Sequence, residues 1–357
     1  MSWEGDRTTG GARFGEGGSV GMVETQKSKG RLVFWIVLIT LVLIAVLSIA
    51  FMTAMPGKSY AGPLPNLSEE QGETSANLRK HVWHLAGTIG ERNVIAYQSL
   101  ESARRYIKDS LEAQGYRVRS QEYTVQMRKV ENLIAEIPGS RRPSEIVIIG
   151  AHYDTVYDCP GADDNSSGVA GLLELARLLR PNEMARTVRF VAFVNEEPPW
   201  FQTEDMGSWV YAKEAQKLHE NIVAAVSIES IGVYADTEGS QKYPVGFGAL
   251  YPSKGNFISF VGNVESRKLV RAATRSFRQR TKFPSEGAAV PRAIPGVGWS
   301  DHWSFWEAGY PAIMVTDTAP FRNKNYHRPT DTPETLDYDR MARVVHGLAE
   351  VVMDLAR

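Results

Sequence analysis

The apolar run Val188-Arg189-Phe190-Val191-Ala192-Phe193-Val194-Asn195 ends in two adjacent glutamates, Glu196 and Glu197. The run reads as a buried strand, so the fold must hold two carboxylates side by side at its end. They repel each other, and each is expensive to take out of water. Such a pair persists where something nearby supplies positive charge. A metal cluster is the simplest supplier, with one glutamate as ligand and its neighbour free for proton transfer. His152-Tyr153-Asp154, Gly161-Ala162-Asp163-Asp164-Asn165 and Tyr326-His327 offer the further donors such a cluster needs.

Around these segments the pattern alternates between strand and helix. Arg117 to Gln126 alternates like an edge strand, and Leu133 to Ile137 could pair with it. Ile146–Ile149, Thr187–Val194, Ile222–Ile228 and Ala312–Val315 read as buried strands. Helical spacing marks Leu78–Ile89, Ala103–Leu111, Ser166–Leu179, Gly207–His219, Arg267–Gln279 and Asp337–Leu355. Strands separated by helices predict an α/β fold, a mostly parallel central sheet with helices on both faces. In such sheets sites form beyond the carboxyl ends of the strands. His152 follows Ile149, Glu196 and Glu197 follow Val194, Glu229 follows Ile228, and His327 lies beyond the Ala312–Val315 strand. Asp164 lies in the loop between a strand and its helix.

Ahead of this domain, Leu32 to Met55 is uncharged and almost wholly apolar. It is long enough to cross a hydrocarbon core of roughly 30 Å as a helix. Lys27, Lys29 and Arg31 precede it and Lys58 alone follows closely. That bias predicts a cytoplasmic N-terminus and an extracytoplasmic domain. A cleaved signal peptide is the competing reading, but its apolar core is shorter, about 7–15 residues. The expected organisation is a disordered cytoplasmic tail at 1–30, a transmembrane helix at 31–55, a linker at 56–70 and one domain at 71–357. The linker, with Pro56, Pro63 and Pro65, reads as a spacer that lifts the domain off the membrane.

A formal net charge of -1 gives no basic face for nucleic acid. One cysteine, Cys159, excludes an internal disulfide, and no thiolate-activating pattern surrounds it. Oxygen and nitrogen donors without thiolate suit Zn, Mn or Co, with imidazole favouring zinc, and two metals about 3.5–4 Å apart can clamp a water if a carboxylate bridges them. The small residues around Asp163 and Asp164 make that loop a good place for the bridge, although an Asp pair there is also an ordinary helix cap. His81 and His84 lie three apart on a helix without an acidic companion motif and read as a solvated face.

From about Glu145 onward the chain resembles the co-catalytic dizinc aminopeptidase family, which includes bacterial leucyl aminopeptidases and glutamate carboxypeptidases. The matching stretches are Gly150–Asp154, Gly161–Gly168, Asn195-Glu196-Glu197, Ser227–Gly232, Ser300-Asp301-His302 and Tyr326–Thr332. Each is weak alone; six in the family's order over about 180 residues are a strong signal. The resemblance implies two zinc ions per chain, with Asp164 bridging, His152 and Glu229 completing one site, and Glu197 and His327 the other. Glu196 would be the general base and Asp154 would orient His152. His302 stays outside the ligand set. Many relatives carry Asp where Glu229 stands. The bulky Pro198–Met206 stretch, with Trp299 and Trp303, would wall the substrate pocket, and Tyr234–Trp299 would be a lid.

The expectation is therefore a membrane-anchored metallo-exopeptidase acting on peptides, an aminopeptidase in the first instance. Carboxypeptidase, dipeptidase or one-zinc glutaminyl cyclase activity on the same fold is the alternative, and a non-catalytic receptor-like ectodomain is the rival of another class. No protein partner can be read from the chain.

Overall fold

The segment Val20–Thr53 forms one helix, α1, in the computed structural model, which describes residues 9–11 and 20–357. Within it Arg31–Thr53, 23 residues, is long and apolar enough to cross a membrane, a property a signal sequence shares. Residues 20–30 are helical and not part of a disordered tail; once nucleated, a helix extends at little cost per residue. The rest of the expected tail, residues 1–8 and 12–19, lies outside the described residues. The chain divides into two units, Met1–Phe51 and Met52–Arg357.

The second unit contains no free spacer between 56 and 67. Pro56 and Gly57 carbonyls accept from Arg278 at 3.3 and 3.1 Å, Leu64 packs on the core, and Ser68 opens the next helix with a capping box to Gln71. That helix, α2 (Glu69–Val82), continues as a π-helical segment, Trp83–Ile89. Then come α3 (Tyr97–Ala113), β1 (Arg119–Val125), β2 (Arg128–Ile137), β3 (Arg142–His152), α4 (Gly168–Leu179), β4 (Arg186–Phe193), α5 (Gly207–Lys217) and β5 (Asn221–Glu229). The remaining elements are β6 (Ile258–Gly262), α6 (Arg267–Arg280), β7 (Ser285–Ala289), α7 (His302–Glu307), β8 (Ala312–Thr316), α8 (Ala319–Arg322) and α9 (Tyr338–Leu355).

The eight strands form one sheet in the order β1-β2-β4-β3-β5-β8-β6-β7. The four central strands, β4, β3, β5 and β8, run parallel. Their Val, Ile, Phe and Ala residues are buried on both faces, as a parallel sheet covered by helices requires. The antiparallel β1–β2 hairpin borders β4, and β6, antiparallel to β8, carries β7 at the far edge. One face is covered by α2, α4, α6 and α9 around Leu172, Leu173, Val345 and Leu348; the other by α5 and α7 around Phe193, Tyr211 and Phe305. Because the central strands are parallel, their carboxyl ends meet on one edge of the sheet.

Candidate metal centre

At that edge β3 ends in His152, whose ring is wholly buried. Two residues on, Asp154 accepts the backbone N–H of Glu196 on Oδ1 and that of Glu197 on Oδ2, both at 3.1 Å. Its Oδ1 also lies 3.5 Å from His152 Nδ1. One carboxylate thereby fixes the backbone of the glutamate pair and faces the imidazole. Asn195, Ser230 and His327 have φ of 59°, 48° and 56°. These left-handed conformations, costly outside glycine, fall directly before Glu196, directly after Glu229 and at His327 itself.

The five expected ligands converge. Asp164 presents Oδ1 to His152 Nε2 at 3.3 Å and Oδ2 to His327 Nε2 at 3.0 Å. Glu229 Oε2 lies 3.2 Å from His152 Nε2, and Glu197 Oε2 lies 3.3 Å from His327 Nε2. Glu196 Oε2 stands farther off, 3.9 Å from His152 Nε2. His152, Asp164 and Glu197 have ligand atoms all within 4.8 Å of one another. Both His152 nitrogens, His327 Nε2 and Glu197 Oε1 are buried without hydrogen-bond partners. Among the described residues no Lys or Arg pairs with Asp164, Glu196, Glu197 or Glu229. Donors that converge, stay unpartnered and carry excess negative charge fit a bound cation, and an imidazole–carboxylate set without thiolate fits zinc.

Electrostatics without metal express the same crowding. Burial pushes up the carboxyl of Glu196, with Glu197 and Glu229 adding repulsion against the pull of His152. Burial and the neighbouring Asp164 push Glu197 up to about 8, and burial also raises Glu229. Against the opposing effect of burial, Glu229 and Glu196 hold His152 well above its ordinary value, and Asp164 and Glu197 hold His327 at about 10. Asp164, between the two imidazoles, is held low despite its burial.

Several supporting groups were given no role by the sequence, although most of them lie inside the matching stretches. Asp331 accepts the backbone N–H of Asp163 and of Asp164 at 3.1 Å, fixing the loop that carries Asp164. Asp163 points away and is occupied by Gly232 N at 2.9 Å and Asn323 Nδ2 at 2.8 Å. Asn165 Oδ1 accepts from Gly168 N and Ser230 N, and its Nδ2 donates to Ile228 O, tying this loop to β5. Ser300 and Ser230 donate to the two oxygens of Glu229 at 2.7 and 3.0 Å. Arg92, fully buried, donates to the carbonyls of Tyr153, Pro160 and Gly161 and to Ser166 Oγ. Burial lowers its pKa to about 10. Asn165, Ser230, Ser300 and Asp331 lie in the matching stretches, whereas Arg92 lies outside all of them.

Other candidates fall outside the centre. His302 is buried, bonded through Nε2 to Val297 O at 2.7 Å and set edge-on to Trp306. Burial raises the Cys159 thiol to about 12, and Sγ donates to Arg328 O. His81 and His84 are not a solvated face: His81 bonds Tyr106 OH at 2.8 Å and His84 stacks on the Tyr106 ring at 3.9 Å. The cleft over the centre is lined by Pro198, Phe201, Trp299 and Tyr326 together with Asp164, Glu196, Glu197, Glu229 and His327. Trp303 stacks on Trp209 instead of walling it. Trp299, Tyr326 and Glu229 also border an apolar pocket formed by Phe247, Tyr251, Ile294 and Phe321. The expected lid region thus supplies much of that pocket.

Residues 132–352 match the profile of Peptidase family M28. An uncharacterized protein of Escherichia coli K12, YfbL, is 37% identical over 311 residues, covering 84% of this chain and 95% of its own. A protein of Pyrenophora teres f. teres named "Probable zinc metalloprotease" is 26% identical over 250 residues, 60% of this chain and 49% of that one. The chain thus spans about half of that fungal relative. Among solved structures, BSAP, a zinc aminopeptidase from Bacillus subtilis, superposes with a TM-score of 0.64 at 15% identity, covering 82% of this chain and 97% of that one. The α/β architecture is therefore shared with it.

Proposed function

The chain belongs to peptidase family M28 and is a zinc-dependent hydrolase, and on that premise we propose that it is a membrane-anchored dizinc exopeptidase, in the first instance an aminopeptidase. Two zinc ions are typical of the family. The observation that carries the reading is the split of Asp164, one oxygen toward each histidine, with a further carboxylate beside each imidazole. His152, Asp164 and Glu229 would hold one zinc, and His327, Asp164 and Glu197 the other. When bound, the metals would polarise the scissile carbonyl and acidify an attacking water.

The chain's own residues do the rest. Glu196 sits beside the ligand set without belonging to it, buried where a proton can be taken from water and returned to the leaving amine. Asp154 positions Glu196 through its backbone N–H and faces the His152 ring. Pro198, Phe201 and Trp299 line the cleft above the centre, where a substrate would cover it. The adjoining apolar pocket favours a large apolar or aromatic side chain at the cleaved end of the peptide.

For placement we infer that Arg31–Thr53 crosses a bilayer, with the N-terminus cytoplasmic and residues 56–357 outside. The basic residues before the helix, against Lys58 alone just after it, support that orientation.

The test is zinc content of the purified full chain, with release of an aminoacyl chromophore on the same sample. About two zinc per chain, with activity lost to chelator and restored by metal, is the expected result. About one zinc with cyclisation of N-terminal glutamine would replace the reading with a cyclase. Cleavage only at carboxyl ends would replace it with a carboxypeptidase. No metal and no turnover in folded protein after zinc addition would leave a receptor-like ectodomain.

A further inference from the structure

We propose that the exposed side of α6 is a docking surface for the anionic phospholipid headgroups of the membrane that anchors this chain. The proposal rests on the reading of Arg31–Thr53 as a membrane span.

Along α6, Arg267, Lys268, Arg271, Arg275 and Arg278 fall within about 100° of one another around the helix axis. Leu269, Val270, Ala273, Thr274 and Phe277 take the buried side. Arg278 pairs with Glu286 at 3.4 Å, and Arg280 with Glu350 and Asp354 at 3.1 and 3.5 Å. Among the described residues Lys268, Arg271 and Arg275 have no acid within ion-pair distance. Like charges one turn apart, Arg271 and Arg275, destabilise a helix, so the row calls for an external anion.

The structure also indicates where that anion comes from. Arg271 Nη1 donates to the carbonyl of Ala54. Arg278 holds the Pro56 and Gly57 carbonyls, and Ser59 Oγ accepts from Ser285 N at 2.9 Å. Residues 54–59 are therefore laid along α6 and β7. Ala54 directly follows Thr53, the last residue of the apolar helix. A bilayer holding that helix ends within a residue or so of the Arg271 contact. Lys268 to Arg275 spans only about 10 Å at 1.5 Å per residue, close to one Debye length at about 0.1 M salt. Each base near an anionic surface contributes roughly fivefold to partitioning. This second contact would set the orientation of the catalytic unit on the membrane.

The test uses the full chain in nanodiscs, with Ala272→Cys on the exposed side of α6 carrying a fluorophore and lipids carrying a headgroup quencher. Cys159 is buried and does not compete for label. Quenching should be strong with about 30% phosphatidylglycerol, weak in pure phosphatidylcholine, and abolished near 0.5 M salt, where the Debye length is roughly 4 Å. Lys268→Gln with Arg275→Gln, neither touching the tether, should lower the docked-to-undocked ratio about 25-fold. Equal quenching in both lipids, or no change in the double variant, overturns the proposal while the chain stays in alkali-washed membranes. Release of the chain by that wash overturns the membrane span itself, and the docking surface with it. Peptidase activity in detergent, measured alongside, is unaffected by either failure.

Discussion

Glu196→Gln separates the base from the ligands. The amide has the shape of the carboxylate, and the backbone N–H of residue 196 stays on Asp154, so the loop keeps its place. Glu196 Oε2 lies 3.9 Å from His152 Nε2, against 3.0–3.3 Å for the contacts of Asp164, Glu197 and Glu229 with the histidines. Metal content should therefore remain at two zinc per chain. A positioned general base contributes about 10²–10⁴ in rate, or about 2.7–5.4 kcal/mol of barrier. That loss should fall on kcat, with KM nearly unchanged. Stability should move the other way in metal-free protein. Burial, then the charges of Glu197, Glu229 and Asp301, penalise an ionised Glu196 more than His152 relieves it. A neutral amide removes that penalty, so Tm in chelator should rise, by about 2 °C or less per kcal/mol in a domain of this size. Chromophore release, metal analysis and melts on one preparation give all three numbers. Turnover within tenfold of the parent would refute the base assignment, and a fall to one zinc would make Glu196 a ligand.

Four other outcomes follow from the geometry. Asp164→Ala should lose both zinc ions and activity together; a variant that keeps a two-metal site shows that another group bridges. Asp154→Ala strands two buried N–H groups at about 1–3 kcal/mol each, so it should both destabilise and slow the enzyme, and a melt unchanged from the parent would contradict this. Zinc affinity should climb with pH. His152 and His327 hold protons in the metal-free centre, with His327 near 10, and Glu197 near 8 does the same, so each must give up a proton to bind zinc. Calorimetry in buffers of different ionisation enthalpy should show net proton release at pH 7, and none would mean the ligands are already deprotonated. A chain beginning at Gln71 should melt below one beginning at Met52, since it lacks the Ser68 cap, about 1 kcal/mol, and the packing of Met55 and Leu64; equal melts would make residues 52–68 an inert tether.

Stable local patterns explain why so much was legible. The central strands were visible because apolar residues dominate where both faces are buried, with few polar interruptions such as Arg189 and Ser227. Each expected ligand stood one to three residues beyond such a run or in the loop that follows it. β6 and β7 escaped notice inside an expected lid. Ser285-Glu286-Gly287-Ala288-Ala289 has no β-branched residue and is a strand only because β6 offers it a parallel partner. The linker at 56–70 read as free because prolines and glycines break regular structure. What they cannot reveal is that Arg278, more than 200 residues away, binds their carbonyls.

By itself the sequence determined the types of the expected ligands, their order and the strand ends that carry them, because backbone periodicity and side-chain chemistry are local properties. Tertiary structure decided which aspartate faces the two histidines. Asp163 and Asp164 are neighbours of one kind, and only the placement of Gly232, Asn323 and Asp331 turns one into the scaffold and the other toward both histidines. It also decided that Asp154 serves the glutamate pair as well as the imidazole, that Arg92 ties together the loops behind the centre, and that α6 lies beside the point where the apolar helix ends. Such contacts join residues distant in the chain, and their energies depend on distance in space, which no local pattern encodes.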